Sequence, residues 1–140
     1  MEQNCHTTFM CENNDELIKK IRNELLTIKK DDWQTIDMPN NVENFTLEKK
    51  LDDKYIELLK LGYLEKSMDS KWFMYCEDNK MYIHRSWTGY CIYIVELSDK
   101  GILNVVVNRN NKQYSETNLE FDRFFVDHLI SMFIARNMKK

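Results

Sequence analysis

WFMYCEDNKMYIHRSWTGYCIYIVEL, residues 72–97, is the stretch that decides the fold. Its apolar and aromatic residues are β-formers, and they alternate with polar ones at a period of two. WFMYCE and KMYIHR flank Asp78-Asn79, a hairpin turn signal in which the usual glycine is missing. GYCIYIVEL is apolar on both faces, which predicts a strand in the middle of a sheet. The turn SDKG and a further run, ILNVVVNR, follow. The four runs predict an antiparallel meander.

Toward the C-terminus the polar loop NNKQYSETN leads into a helical pattern. Thr117 and Glu120 have the spacing of a T-x-x-E capping box, ahead of a stripe of Phe121, Phe124, Phe125, Leu129, Met132 and Phe133. Arg136, Lys139 and Lys140 suit the negative end of the helix dipole. On the N-terminal side, Thr46 is the expected cap of a helix reaching Leu61. Its stripe is Leu47, Leu51, Tyr55, Leu58 and Leu59, with Gly62 at the left-handed position beyond its end. The connector DDWQTIDMPNNVENF, with Pro39, Asn40 and Asn41, precedes it. An earlier helix is expected from Asp15 to about Lys30, on the spacing of Leu17, Ile18, Ile21, Leu25 and Ile28. Residues 1–14 read as a polar arm, and residues 15–140 as a single domain. The class is α+β: an antiparallel meander of about four strands or more, with two N-terminal helices and a C-terminal helix packed on one face.

Hydrophobic residues are 43% of the 140 and charged residues 31%, with a net charge of -3. These totals describe a globular chain and argue against nucleic acid as a partner. No apolar run approaches the roughly 20 residues that cross a bilayer. The N-terminus lacks a basic segment followed by an apolar one, so the expected location is the cytoplasm, with Cys5, Cys11, Cys76 and Cys91 reduced.

His84, Arg85, Ser86, Trp87, Thr88 and Gly89 are the candidate ligand-binding residues, with Tyr82 beside them. Arginine offers a planar fork to phosphate or carboxylate, and the hydroxyls donate hydrogen bonds. Glycine admits a close approach to the backbone, and an indole stacks on a ring. The competing reading is a plain strand connection, with Trp87 in the core and Arg85 a solvated charge. No motif of known catalytic machinery matches the string. His84 and Ser86 lie on one face of a strand, and a nucleophilic triad would need Glu77 or Glu96. Cys5-His6 and Cys11 lack the paired spacing of a zinc site, so no metal is expected. Cys76 and Cys91 fall in strands that could be near neighbours, and they read as small buried hydrophobes. His128, on an apolar stripe, reads as a core histidine. Tyr75, Tyr82 and Tyr93 are expected to line one sheet face with His84, and such a face, if open, is a ligand floor or an interface.

The segment from about 71 to 97, centred on HRSWTG, resembles a small bacterial domain. That domain occurs alone or with proteins of ADP-ribose metabolism such as ADP-ribosylglycohydrolases and macrodomains. The resemblance implies a phosphate-bearing nucleotide derivative, ADP-ribose-like or cyclic, as ligand, and a setting in ADP-ribose metabolism or in bacterial or phage defence. Arg85 would meet phosphate, Trp87 or a nearby tyrosine would stack on the base, and His84 with Ser86 or Thr88 would hold ribose hydroxyls. The resemblance assigns no catalytic residue and no cofactor. It leaves enzyme, sensor and sponge open. The alternative is a non-enzymatic interaction module that forms a homodimer through the aromatic sheet face.

Overall fold

The computed structural model describes residues 27–64 and 71–139. After one 3-10 turn, Lys30–Asp32, come β1 (Val42–Glu48), α1 (Asp53–Lys60), β2 (Tyr63–Leu64), β3 (Trp72–Glu77), β4 (Lys80–Arg85), β5 (Cys91–Glu96), β6 (Ile102–Asn108) and α2 (Leu119–Asn137). The strands form one sheet in the order β1-β6-β5-β4-β3-β2, with every pair antiparallel. The α+β class and the meander β3 to β6 are as the sequence predicts, and β5 lies between β6 and β4 in the middle of the sheet. Among the described residues no helix is long and apolar enough to cross a membrane.

The β3–β4 turn forms without glycine because Asp78 and Asn79 both take positive φ, 51° and 65°. Aspartate and asparagine are the side chains that best tolerate that region. The Asn79 amide also donates to the Leu97 carbonyl at 2.8 Å, tying the turn to the end of β5.

The N-terminal half departs from expectation. The helix predicted from Thr46 begins only at Asp53, and Thr46 and Leu47 belong to β1. In VENFTLE, Phe45 and Leu47 point inward opposite Val105 and Leu103 of β6, while the residues between them stay exposed. Pairing with a distant strand overrides the local helical spacing. Gly62 does close α1, at φ +75°, and a Cβ there would lie 2.7 Å from the Met74 carbonyl oxygen. The earlier helix expected over 15–30 falls almost wholly outside the described residues. Its last positions, 27–29, are not helical and run into the 3-10 turn. One helix therefore precedes α2 among the described residues, not two.

The cap of α2 is Asn118 rather than Thr117. The Asn118 Oδ1 accepts from the Glu120 and Phe121 amides, at 2.8 and 3.2 Å. Val126, Leu129, Ile130 and Phe133 form the buried stripe of α2, whereas Phe121 and Phe124 are exposed. This stripe meets a sheet face built from Trp72, Met74, Met81, Ile83, Tyr93, Val95, Leu103, Val105 and Val107, with Phe45 and Leu47 from β1. Each such side chain, fully buried, contributes about 1.5–3 kcal/mol. Asn137 joins α2 to α1 by donating to the Leu58 and Gly62 carbonyls.

A hydrogen-bonded cluster fixes the loop between β6 and α2. Asp122 is fully buried, and its Oδ1 accepts from the Tyr93 and Tyr114 hydroxyls at 2.7 and 2.8 Å. Arg109 reaches Asp122 Oδ2 and Glu43 Oε1, both at 2.5 Å. Among the described strands, β1 and β2 lie at the two edges of the sheet.

Candidate functional site

The hexapeptide closes the β4–β5 hairpin. The Arg85 amide donates to the Tyr90 carbonyl at 2.9 Å, and the Gly89 amide to the Arg85 carbonyl at 2.8 Å. Gly89 takes φ +80°, a turn conformation that side chains resist. Residues 33–36 clasp the turn from behind. The Trp33 indole donates to the Ser86 carbonyl at 2.6 Å, the Gln34 amide reaches the Ser86 and Trp87 carbonyls, and the Ile36 amide donates to the Gly89 carbonyl at 2.8 Å. Thr88 Oγ1 accepts from the Tyr90 amide at 3.3 Å. The turn is held by its backbone, so its side chains are presented on a fixed frame.

Neighbouring residues on a strand face opposite ways, and this separates the candidates. Arg85 lies on the α2 side, with its guanidinium carbon 4.6 Å above the Trp72 ring. It opens into a cavity of about 540 Å³ lined by Lys71, Arg85, Trp87, Thr88, Tyr90, Lys112 and Gln113. Trp87 is 70% exposed and so is not a core residue. Among the described residues, Arg85, Lys71 and Lys112 take part in no ion pair and no carboxylate lines the cavity. Gln113 is oriented by the Asn108 amide, which donates to its Oε1 at 2.9 Å. The arrangement is a cationic rim around two aromatic rings. It can hold phosphate or carboxylate by charge-assisted hydrogen bonds while a planar group stacks.

His84 and Tyr82 lie on the opposite face. With Lys30, Asp37, Met38, Tyr75, Glu77, Cys91 and Ile94 they line a second cavity of about 340 Å³. A shift of register between Ile83 and His84 sets His84 opposite Cys91 rather than Ile92. Tyr75 stacks on Tyr82 at 5.0 Å and on His84 at 5.5 Å. Tyr93, expected on this face, is on the other, where its hydroxyl meets Asp122. His84 is buried, and its Nδ1 lies 2.8 Å from the Gly89 carbonyl. A carbonyl only accepts, so Nδ1 carries the proton and Nε2 is a bare acceptor. Nε2 has no partner. Burial holds the imidazole pKa below its ordinary value, partly offset by the Gly89 bond.

His84 therefore does not hydrogen-bond to Ser86, which is itself buried, and a nucleophilic pair is not assembled. Glu96 is engaged by Asn104. Burial pushes the Cys76 and Cys91 thiols up to about 12, the latter helped by Asp37, so neither is a thiolate near neutral pH. The two cysteines are free and sit in β3 and β5 with β4 between them, so they are not neighbours. His128, expected in the core, is exposed. No group of three metal-ligating side chains occurs among the described residues.

The sequence reading missed Lys71, Lys112 and Gln113. The only trace of the last two was a polar loop before a helix. No protein-family model, curated protein or solved structure matches the chain.

Proposed function

We propose that the larger cavity binds a phosphate-bearing nucleotide derivative of the ADP-ribose or cyclic type. The observation that carries this reading is the set of three cations, Lys71, Arg85 and Lys112, around Trp87 and Tyr90, without carboxylate partners among the described residues. Arg85 and the two lysines take the phosphates, Trp87 or Tyr90 stacks on the base, and Thr88 and Gln113 meet sugar hydroxyls. His84, Ser86 and Tyr82 are left out of this site because they are buried or face the other way. The proposal includes a cytoplasmic location, with which the two free thiols agree. A role in bacterial or phage defence, as sensor, sponge or enzyme, belongs to the same proposal.

A charge-assisted hydrogen bond contributes about 1.5–3 kcal/mol, so Arg85→Ala weakens binding roughly 30-fold, equivalent to about 2 kcal/mol. The test is calorimetry and thermal shift with ADP-ribose, ADP, NAD, cyclic AMP and pyrophosphate. Nucleotides should stabilise the protein, and Trp87→Ala should weaken nucleotides but not pyrophosphate. No stabilisation by any of them, or one that Arg85→Ala leaves intact, refutes the reading. Chromatography of the bound ligand after incubation separates turnover from sequestration. The interaction-module reading has less support, since Phe73 and Tyr75 of the aromatic face are already buried within one chain.

A further inference from the structure

We propose that Gln113 is a specificity-determining residue of the larger cavity. Its side chain faces the ligand as a hydrogen-bond donor only, so the ribose oxygen it meets is recognised as an acceptor and need carry no proton. The ligand class thereby extends from free ribose hydroxyls to ethers and phosphoesters, the ester oxygen of a cyclic nucleotide among them. This inference rests on the nucleotide reading of that cavity.

The two ends of a glutamine amide have the same shape, so its orientation follows from its partners. Asn108 supplies the reference. It is fully buried between two backbone groups of fixed polarity. The Asn110 amide donates to its Oδ1 at 2.8 Å, and its Nδ2 donates to the Cys91 carbonyl at 2.8 Å. A backbone N–H only donates and a carbonyl only accepts, so Asn108 has one orientation. The same Nδ2 lies 2.9 Å from the Gln113 side chain, and the atom facing that donor must be Oε1. Nε2 is the polar atom left for the cavity. Gln113 is half-buried and lines the cavity, and its Nε2 is not one of the buried polar atoms that lack a partner. The main chain holds this arrangement. The Gln113 and Tyr114 amides both donate to the Asn110 carbonyl at 2.9 Å, and the Tyr114 hydroxyl is anchored on Asp122.

The rest of the lining has the same polarity. Lys71, Arg85, Lys112 and the Trp87 indole donate and do not accept. Thr88 Oγ1 already accepts from the Tyr90 amide. Among the described residues, a ligand oxygen without a proton meets donors around the cavity, whereas a ligand N–H finds a side-chain acceptor only at the Thr88 and Tyr90 hydroxyls. Gln113 is the one uncharged amide in that wall, and Asn108 sets which way it reads.

The experiment titrates ADP and its 2′-deoxy, 3′-deoxy, 2′-O-methyl and 3′-O-methyl forms into the full chain by calorimetry. One deoxy form should bind about tenfold more weakly than ADP, having lost a hydrogen bond, while the O-methyl form at the same carbon stays within about twofold. Gln113→Glu keeps the bond from Asn108 and turns an acceptor toward the cavity. Its added charge weakens all the ligands alike, so the readout is a ratio: the affinity of ADP over that of the O-methyl form should rise from about one to about ten. Gln113→Leu should erase the difference between ADP and the deoxy form. In the free protein, hydrogen exchange of the side-chain amides should be slow at Asn108 and fast at Gln113. The reverse order overturns the proposal without any ligand. So does ADP binding in which the O-methyl form falls as far as the deoxy form, neither deoxy form is weaker, or Gln113→Glu leaves the ratio unchanged. Those results leave the nucleotide reading standing. Absence of binding by every one of the ligands overturns that reading, and this inference with it.

Discussion

The cluster on Asp122 yields a prediction whose size follows from counting hydrogens. Tyr93 and Tyr114 hydroxyls lie 2.7 and 2.8 Å from the same carboxylate oxygen and 2.8 Å from each other. Three oxygens thus share two protons. If both protons point to Asp122, the hydroxyls face each other lone pair to lone pair. If one turns, the carboxylate keeps a single donor on that oxygen. Either way one hydroxyl is enough for Oδ1. Tyr93→Phe or Tyr114→Phe alone should therefore cost about 1 kcal/mol, the net value of one hydrogen bond. The double variant leaves a buried carboxylate oxygen with no donor, which adds about 2 kcal/mol of desolvation and gives a total near 4 kcal/mol. At about 3 °C per kcal/mol for a chain of this size, the single changes lower Tm by about 3 °C and the double by about 12 °C. Urea unfolding followed by circular dichroism measures all four proteins, with an unchanged m-value as the check on the fold. Burial, with the bond to Asp122, raises both phenols well above the ordinary tyrosine value, so the cycle should read the same at neutral and mildly alkaline pH. A double variant equal to the sum of the singles within about 0.5 kcal/mol would refute the shared-oxygen argument.

Three further outcomes follow from the same structure. His84 titrates below the ordinary 6.5 in the folded state, so between the two values the unfolded chain binds more protons and stability falls as the pH drops below about 6.5. His84→Phe should flatten that fall in urea midpoints, and parallel profiles for the two proteins would contradict it. With both thiols near 12, iodoacetamide at neutral pH should modify Cys76 and Cys91 only in denaturant, and native-state labelling of Cys91 by peptide mapping would count against the assigned burial. Gly62→Ala should cost more than about 2 kcal/mol, from a positive φ and a Cβ 2.8 Å from that of Ile28, whereas Gly101→Ala, with open space, costs about 1 kcal/mol for φ alone. Equal Tm losses for the two glycines would show that the contact at Gly62 is relieved by movement.

The meander was legible because period-two alternation and turn chemistry are local signals. Strands β3 to β6 follow one another in sequence and in space, so nothing distant was needed to recognise them. β1 was hidden for the opposite reason. Its partner β6 lies far along the chain, and Leu47, Leu51, Tyr55 and Leu58 imitate a helical stripe across what is really a strand, a bend and a short helix. Phe121 and Phe124 were misjudged because an apolar run marks a helix without saying which side meets the sheet. The hexapeptide stood out as ligand-bearing chemistry, yet strand alternation gives Arg85 and His84 to different cavities. Lys71 and Lys112 gave no signal of their own, because only the folding of the β6–α2 loop brings Lys112 near Arg85.

Strand β1 also bears on how the molecule tolerates crowding with its own kind. An open strand margin invites a further chain to add on, the first step of fibril growth. Here that margin carries Glu43, Asn44, Thr46 and Glu48 at exposed positions, and Arg123 donates to the Thr46 carbonyl at 3.1 Å. An incoming strand would have to displace that guanidinium and bury acidic side chains. The β1 margin is thus blunted against polymerisation.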